Sequence, residues 1–537
     1  MTRHGDRIYD VLVVGAGAAG AAVSYSLRAR GLDVVCVDQG NWIDRETLPK
    51  RHLDWELRGR TEWSANPNVR AWPSDYSVKS VGETEVTPML FNGVGGSTVG
   101  FGGVYWRLLP SDFKTRTLDG FGVDWPITYE ELAPYYSQNE QIVGVSGLAG
   151  DPTGPEREEY PCPPVTMGKL GQIWARGFEQ LGWHWWVQDC AIATRDYGPD
   201  RSGCVGRGFC AWGCPSKSLG SVDVTYWPLA LEAGVELRLD ARVRQIDIDK
   251  GGRATGVSYV DVEGRDVTLK ARIVVVSAGG VGTPRLLLMS KSPRFPDGLA
   301  NSSGLVGKNL MHHVQARVIG LFDERVEGDR GAWGGAFASR EFYETDAKHA
   351  FLRGFTLGTR RGLPPLETAL RCAPWGAQHY EVMERHLNHE GVVAVMGDDE
   401  PEEVNSIELD YEGADSLGLP GVSLRYRLSE NSRRLGAEGV RRAKELCLAA
   451  GAVGVADTGL SPVPAFHLMG TARMGSRPDG SVVDRDHRSH DVPNLFIVDG
   501  SSMPTGGSVN PTNTIQALAL RAADRILDLR RVIETPH

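Results

Sequence analysis

Gly15, Gly17 and Gly20 fall in the spacing Gly-x-Gly-x-x-Gly, and Asp38 follows eighteen residues after the last of them. This combination has a chemical use. Gly15 permits a tight turn, Gly17 lets backbone approach a pyrophosphate, Gly20 lets a helix and a strand close up, and an acid at the position of Asp38 accepts from ribose hydroxyls. The free N–H groups of a helix starting there attract the anion. The reading is a nucleotide site, and the glycines alone do not separate FAD from NAD.

Such a site needs a strand before it and a helix and second strand after it. Tyr9 to Val14 is a near-continuous apolar run of the kind a strand buried on both faces shows. Ala21 to Arg30 predicts a helix closed by Gly31, and Asp33 to Val37 predicts a second buried strand. Further on, Val235 to Leu239, Val243 to Ile248, Thr255 to Val260 and Val267 to Ala271 alternate between turn signals and predict an antiparallel meander. Ile273 to Val276 then predicts a buried strand, with Thr283-Pro284 opening a helix to Ser290.

From about Met311 to Val455 the pattern changes. Ser406 to Tyr411 and Val422 to Leu428 predict strands and Glu430 to Ala450 a helix, an antiparallel sheet with helices on one face. Asn494 to Val498 returns as a buried strand before a last helix, about Thr514 to Leu529. The fold class expected is therefore α/β: a Rossmann-like nucleotide-binding domain (parallel sheet plus β-meander) over 8–110, 215–310 and 458–530. It is interleaved with a substrate domain of antiparallel sheet and helices over 111–214 and 311–457.

Composition narrows the partners. The 58 Lys and Arg against 68 Asp and Glu leave a formal net charge of −10, which disfavours nucleic acid and anionic membrane surfaces and points to a small, neutral or hidden ligand. No stretch reaches the roughly 18 apolar residues of a membrane-spanning helix, and the start is polar, so the expected compartment is the cytoplasm. Eight Cys in 537 residues are too sparse for a disulfide scaffold, although Cys204, Cys210 and Cys214 cluster. Fourteen Trp are generous for this length, with Trp106, Trp333 and Trp375 in segments able to face a pocket, while Trp183, His184, Trp185 and Trp186 read as packing. The segment from about Gly144 to Pro164 reads as a lid or a contact between copies.

Four motifs in order carry a family resemblance: the Gly15–Gly20 fingerprint, Gly93-Val94-Gly95-Gly96-Ser97-Thr98, His467 through Gly475, and Asp499-Gly500 with Asn510-Pro511-Thr512-Asn513-Thr514. Over nearly the whole chain the sequence resembles the glucose–methanol–choline family of FAD-dependent alcohol oxidoreductases. The resemblance implies that His467 and Asn510 sit over the flavin. A neutral His467 would take the hydroxyl proton as hydride departs toward flavin N5, while Asn510 holds the developing alkoxide. It also implies cofactor contacts at Gly15, Gly17, Gly20, Asp38, Gly95, Gly96, Ser97, Thr98, Val243, Asp499, Gly500, Pro511 and Thr512. Pyranose 2-oxidases of the family tether FAD through a histidine after a Ser-Thr pair; Val99 stands there, so FAD is expected to be non-covalent.

Gly102 to Phe113, Asp124-Trp125-Pro126-Ile127, Gly282 to Leu288 and Gly307 to His313 resemble the sugar-oxidising branch, close to bacterial C-glycoside 3-oxidases and pyranose oxidases. This implies oxidation of a secondary hydroxyl of a pyranose or glycoside, at C3, with O2 or another acceptor reoxidising the flavin. Cys204, Cys210, Cys214 and Pro215 resemble the iron–sulfur motif of dehydrogenase relatives that hand electrons to a cytochrome subunit; a loop of buried thiols without metal is the preferred reading, and no metal ligand is assigned. A lyase that keeps FAD only as structure and a non-catalytic flavin-binding scaffold are the remaining alternatives.

Overall fold

The computed structural model describes residues 7–208, 210–332, 335–372, 374–460 and 465–533. The apolar start forms the strand Ile8–Val14, whose alternate residues enter two different cores: Leu12 and Val14 one, Val11 and Val13 the other. The helix Ala18–Arg28 begins three residues earlier than expected, and Val34–Val37 pairs with the first strand in parallel.

The parallel layer is a seven-stranded sheet in the order Glu236–Arg238, Val34–Val37, Ile8–Val14, Asp266–Val276, Ala254–Val260 and Arg242–Ile248, with Leu495–Ile497 also on Asp266–Val276. The runs Val267–Ala271 and Ile273–Val276, expected as separate strands, are one strand because no turn residue interrupts them. Its first half pairs antiparallel with Ala254–Val260 and its end pairs parallel with Leu495–Ile497, so the sheet forks there. The run expected to start the meander pairs instead in parallel with Val34–Val37 at the sheet edge, because the helix Tyr226–Glu232 carries the chain across before it. Thr283-Pro284 lies inside the helix Gly279–Met289 rather than opening it. The Gly280 carbonyl, which proline cannot bond, accepts instead from Thr471 Oγ1 at 2.8 Å.

The second layer is a six-stranded antiparallel sheet in the order Gly454–Asp457, Val314–Leu321, Glu390–Gly397, Phe355–Arg360, Phe337–Ser339 and Trp186–Val187. Helix Glu430–Ala449 buries Leu435, Ala443 and Leu446 against one face, where a Cβ on Gly439 would meet Val395 at 2.4 Å. The strands expected near 406–411 and 422–428 run Ser406–Ala414 and Pro420–Arg425 and form a separate three-stranded sheet with Val78–Ser80.

Two segments sit away from their expected side. Val78–Ser80, assigned to the nucleotide part, belongs to that small sheet. Helix Tyr129–Val143, assigned to the substrate part, lies along the C-terminal helix Thr512–Ile533, with Tyr136 Oη 2.7 Å from Thr514 Oγ1 and Asn139 Nδ2 donating to Asn513 Oδ1 at 2.8 Å. The Gly144–Pro164 segment is pinned by Arg157, which lies 3.6 Å over the Tyr160 ring and pairs with Glu140 and Asp189. Among the described residues no helix is long and apolar enough to cross a membrane.

Candidate active site

A cavity of about 590 Å³ runs between the two main sheets. Every residue singled out above for cofactor or chemistry lines it except Gly20 and Gly95. Those two act on the backbone instead. A Cβ on Gly20 would lie 1.8 Å from the Gly15 carbonyl oxygen, and Gly95 holds a left-handed conformation at φ +100° against Val99 and Asp223.

At one end of the cavity the helix Ala18–Arg28 presents an N-terminus with no side-chain cap and no acid in its first turn. A Cβ on Gly17 would touch only the Gly96 Cα, at 3.9 Å, and a Cβ on Gly96 would lie 3.0 Å from the Gly17 Cα, so the two glycine segments pack backbone against backbone. Asp38 stands beside them, its carboxylate accepting from Ala16 N at 2.7 Å and Gly40 N at 2.9 Å and pushed up to about 6 by burial. The pairing register of Arg242–Ile248 slips between Val243 and Gln245, leaving an irregular backbone where Val243 meets the cavity. Thr98 Oγ1 donates to Gly95 O at 2.6 Å and accepts from Val222 N at 3.1 Å, so its hydroxyl holds the loop. Asp499 accepts from Gly279 N, Thr283 Oγ1 and Ser501 N, and so ties the helix Gly279–Met289 to its own turn Gly500–Ser502. An elongated cavity, a free helix N-terminus, glycines without side chains and a buried acid fit a dinucleotide.

At the other end His467 Nε2 lies 3.1 Å from Asn510 Nδ2. Its second nitrogen, Nδ1, lies 2.8 Å from Nδ1 of His313. Burial holds His467 well below the ordinary imidazole range, and the neighbouring His313, His312 and Arg360 push the same way. The ring is therefore neutral at pH 7, as a proton acceptor must be.

The wall opposite is the open face of the six-stranded sheet. Gln315 and Arg317 on one strand, Ala394 and Met396 on the next and Arg360 on the third point into the cavity. Arg360 folds back over Gly358, where a Cβ would lie 2.7 Å from its Nη1, and it donates to Gln188 Oε1 at 3.0 Å. Burial lowers its pKa only to about 10, so it keeps its charge. Sequence reasoning gave His313 no particular role and missed Gln315, Arg317 and Arg360. The alternation Val314-Gln315-Ala316-Arg317-Val318 was the available signal for a strand with one polar face.

Among the described residues the tryptophans do not form a platform. Trp106 is buried under Arg340, 4.1 Å from its guanidinium, and lines a separate small cleft; Trp375 is 98% exposed, and Trp333 lies outside the described residues. Trp183 and Trp185 pack edge-on against Phe342 and Phe337, as expected. Among the described residues the Phe and Tyr side chains on the main cavity are Tyr76, Phe91, Phe101 and Phe466.

The cysteine loop abuts the cofactor end. Its turn Cys210–Trp212 packs on the segment Gly96–Gly100, where a Cβ on Gly100 would lie 2.8 Å from Ala211 O, and Ala211 lines the cavity. Burial raises the Cys204 thiol. At Cys214 burial is outweighed by hydrogen bonds from Ser216 and the backbone, and that thiol sits below its ordinary value.

Fold and site together define a flavin-dependent oxidoreductase acting on hydroxyl groups. The chain belongs to the GMC oxidoreductase family, whose N-terminal pattern it matches over residues 9–315 and whose C-terminal pattern it matches over 401–519. It is an FAD enzyme. It is 45% identical to the 2-methyl-1,2-propanediol dehydrogenase of Mycolicibacterium austroafricanum, over 98% of this chain and 96% of that protein. It is 29% identical to the fructose dehydrogenase large subunit of Gluconobacter japonicus, over 97% and 98%. Its fold is similar to that of the formate oxidase of Aspergillus oryzae, with a TM-score of 0.66 at 16% identity over 99% of this chain and 100% of that one.

Proposed function

We propose that this enzyme oxidises a secondary ring hydroxyl of a pyranose or glycoside, at C3, to a ketone, with His467 as base and Asn510 as the donor that holds the oxygen. Bound FAD supplies the acceptor for the hydride. His467 Nε2 takes the hydroxyl proton, and the Asn510 amide holds the developing alkoxide until the carbonyl forms. The backbone of the Gly15–Gly20 turn, with Asp38, holds the dinucleotide in place.

The observation that carries this reading is the neutral His467, 3.1 Å from Asn510, facing a wall that bears Gln315, Arg317 and Arg360. Such a wall offers several hydrogen bonds to one small ligand, which suits a substrate with many oxygens better than a plain alkyl alcohol. The similarity to a fructose dehydrogenase subunit supports a sugar; the diol dehydrogenase supports hydroxyl oxidation more broadly.

Mixing anaerobic holoenzyme with a panel of free pyranoses, O-glycosides, C-glycosides and short diols, while following the flavin absorbance, tests it. Bleaching by pyranoses or glycosides with a 3-keto product is expected. Bleaching by diols alone overturns the sugar assignment, and product without bleaching favours the lyase. In His467→Ala the rate of bleaching is expected to fall about 10²–10⁴-fold; an unchanged rate removes the base.

A second reading is favoured by the cysteine loop. Cys210 opens the turn packed against the cofactor segment and Cys214 follows two residues after that turn, its thiol held low, a placement suited to passing electrons from the flavin to an iron–sulfur cluster and on to a partner subunit. Iron and acid-labile sulfide in the purified protein, with little peroxide formed in air, support that electron-transferring dehydrogenase. Peroxide formation by iron-free protein supports the oxidase.

A further inference from the structure

His313 is fully buried and does not line the cavity, yet both of its ring nitrogens are engaged. Nε2 lies 2.8 Å from the carbonyl oxygen of Gly507, and Nδ1 lies 2.8 Å from Nδ1 of His467. The two rings meet edge-on, 83° apart. Hydrogen-bond valence then fixes every proton in the row. A carbonyl oxygen only accepts, so His313 Nε2 carries the proton. A neutral imidazole has one N–H, so His313 Nδ1 offers a lone pair. Two lone pairs do not sit 2.8 Å apart, so His467 donates from Nδ1, and its own lone pair is left on Nε2, facing Asn510 and the cavity.

We propose that His313 is a positioning residue that holds His467 in its Nδ1–H tautomer, so that the Nε2 lone pair, met by the Asn510 amide at 3.1 Å, is the one that takes the substrate proton when the substrate hydroxyl displaces that amide. The inference rests on the reading of His467 as the base. One loop clamps the row at both ends, because Gly507 supplies the terminal acceptor and Asn510, three residues on, supplies the terminal donor. That loop is itself held: Gly507 adopts φ +63°, Ser508 Oγ donates to Gly354 O at 2.7 Å, and Thr356 Oγ1 donates to Ser508 O at 2.8 Å.

The arrangement needs His313 to be neutral. Burial holds it down to about 4 and His312 beside it pushes the same way, against the backbone carbonyls of Gly507 and Gly506, which pull it up. A proton added to His313 Nδ1 would turn that atom into a donor. His467 would then have to accept at Nδ1 and move its own proton to Nε2, which leaves no lone pair on the cavity side. When His467 takes the substrate proton at Nε2, by contrast, its Nδ1–H still donates to His313, so the imidazolium keeps its partner. The step moves one proton and leaves the hydrogen bond intact.

Two substitutions separate this role from mere packing. In His313→Gln the amide oxygen accepts from His467 Nδ1 and the NH2 group donates to Gly507 O, reproducing the polarity; in His313→Leu neither bond forms. Histidine-selective ¹⁵N NMR of the FAD-loaded protein, with the His467 signals assigned by their loss in His467→Ala, reads the tautomer without any substrate. The expected result is a protonated Nδ1 and bare Nε2 in wild type and His313→Gln, with an Nε2–H population in His313→Leu. An Nε2–H His467 in the wild type, or the wild-type tautomer persisting in a flavin-loaded His313→Leu, overturns the proposal. Anaerobic bleaching by the fastest sugar of the panel is expected to slow about 10²-fold or more in His313→Leu, as when a working histidine loses its tautomer, and to recover most of that loss in His313→Gln. Full-rate bleaching by His467→Ala would remove the base reading and leave the tautomer measurement standing on its own, so the two failures are distinguishable.

Discussion

The two ends of the cavity are built in different ways. At the dinucleotide end, six consecutive residues make the turn, and what matters at Gly15, Gly17 and Gly20 is the absence of a side chain. At the hydroxyl end, side chains converge from distant parts of the chain: His313 meets His467 across 154 residues, and His467 meets Asn510 across 43. One end is specified by local backbone and the other by tertiary packing. Substitutions at the first should therefore act on whether FAD is held, and substitutions at the second on what is done with it.

The largest effect is expected at the turn. In Gly17→Val a branched side chain is forced against the Gly96 backbone, 3.9 Å from a Cβ at Gly17, and crowds the turn that the dinucleotide must approach closely. The purified protein should carry no flavin absorbance and no activity while keeping its far-UV circular dichroism. A flavin-loaded Gly17→Val would break the division between the two ends.

A smaller effect is expected from pH. His467 is held below its ordinary value, so it is neutral above that depressed pKa and lost as a base only below it. The rate of flavin reduction should stay level from neutrality down past the ordinary imidazole value of about 6.5. It should fall only toward the value of about 4 at which His313 takes a proton. A stopped-flow pH series that shows the acid limb near the ordinary value would mean that the pair is wet, and the hydroxyl end no more enclosed than a surface loop.

The same division explains what was readable in the sequence. The Gly15–Gly20 motif, its flanking strands and Asp38 are local, and the structure places them as the residues suggest. His467 and Asn510, the proposed base and donor, stand out in the sequence only through family motifs, since a single histidine before Gly-Thr has no local signature of such a role. The main sheet of the second layer was not legible. The clearest strand patterns there, 406–411 and 422–428, form the small side sheet, whereas Glu390–Gly397 reads as one apolar run and Val314–Leu321 hides Gln315 and Arg317 in its alternation. The meander was read one strand too long at its start because alternation alone does not say whether a strand arrives through a turn or through a helix. His313 was invisible as a positioning residue because its role depends on which nitrogen meets which partner, and pairing across 154 residues leaves no trace in spacing.

On the sheet wall, Arg360→Met keeps most of the volume and removes the charge and the donors. Losing a charged hydrogen bond to substrate costs about 1.5–3 kcal/mol, so KM for the best sugar should rise roughly tenfold or more, with flavin content unchanged. Loss of flavin from this variant would show that the wall also holds the cofactor.

The smallest effect contrasts two glycines. A Cβ on Gly358 would lie 2.7 Å from Arg360 Nη1, the far end of a flexible side chain, whereas a Cβ on Gly20 would lie 1.8 Å from the backbone oxygen of Gly15. The guanidinium has room to swing aside into the cavity, and the backbone oxygen has none. Gly358→Ala should therefore fold normally, retain FAD and change KM only about two- to threefold as Arg360 is displaced, well under 1.4 kcal/mol. Gly20→Ala strains the turn itself, and overpacking of that kind costs about 1–3 kcal/mol, visible as a lower Tm and weaker flavin retention. Thermal melts with and without added FAD measure both. If Gly358→Ala melted as early as Gly20→Ala, Arg360 would be as rigidly built in as the backbone, and the hydroxyl end would owe its shape to the same local constraints as the dinucleotide end.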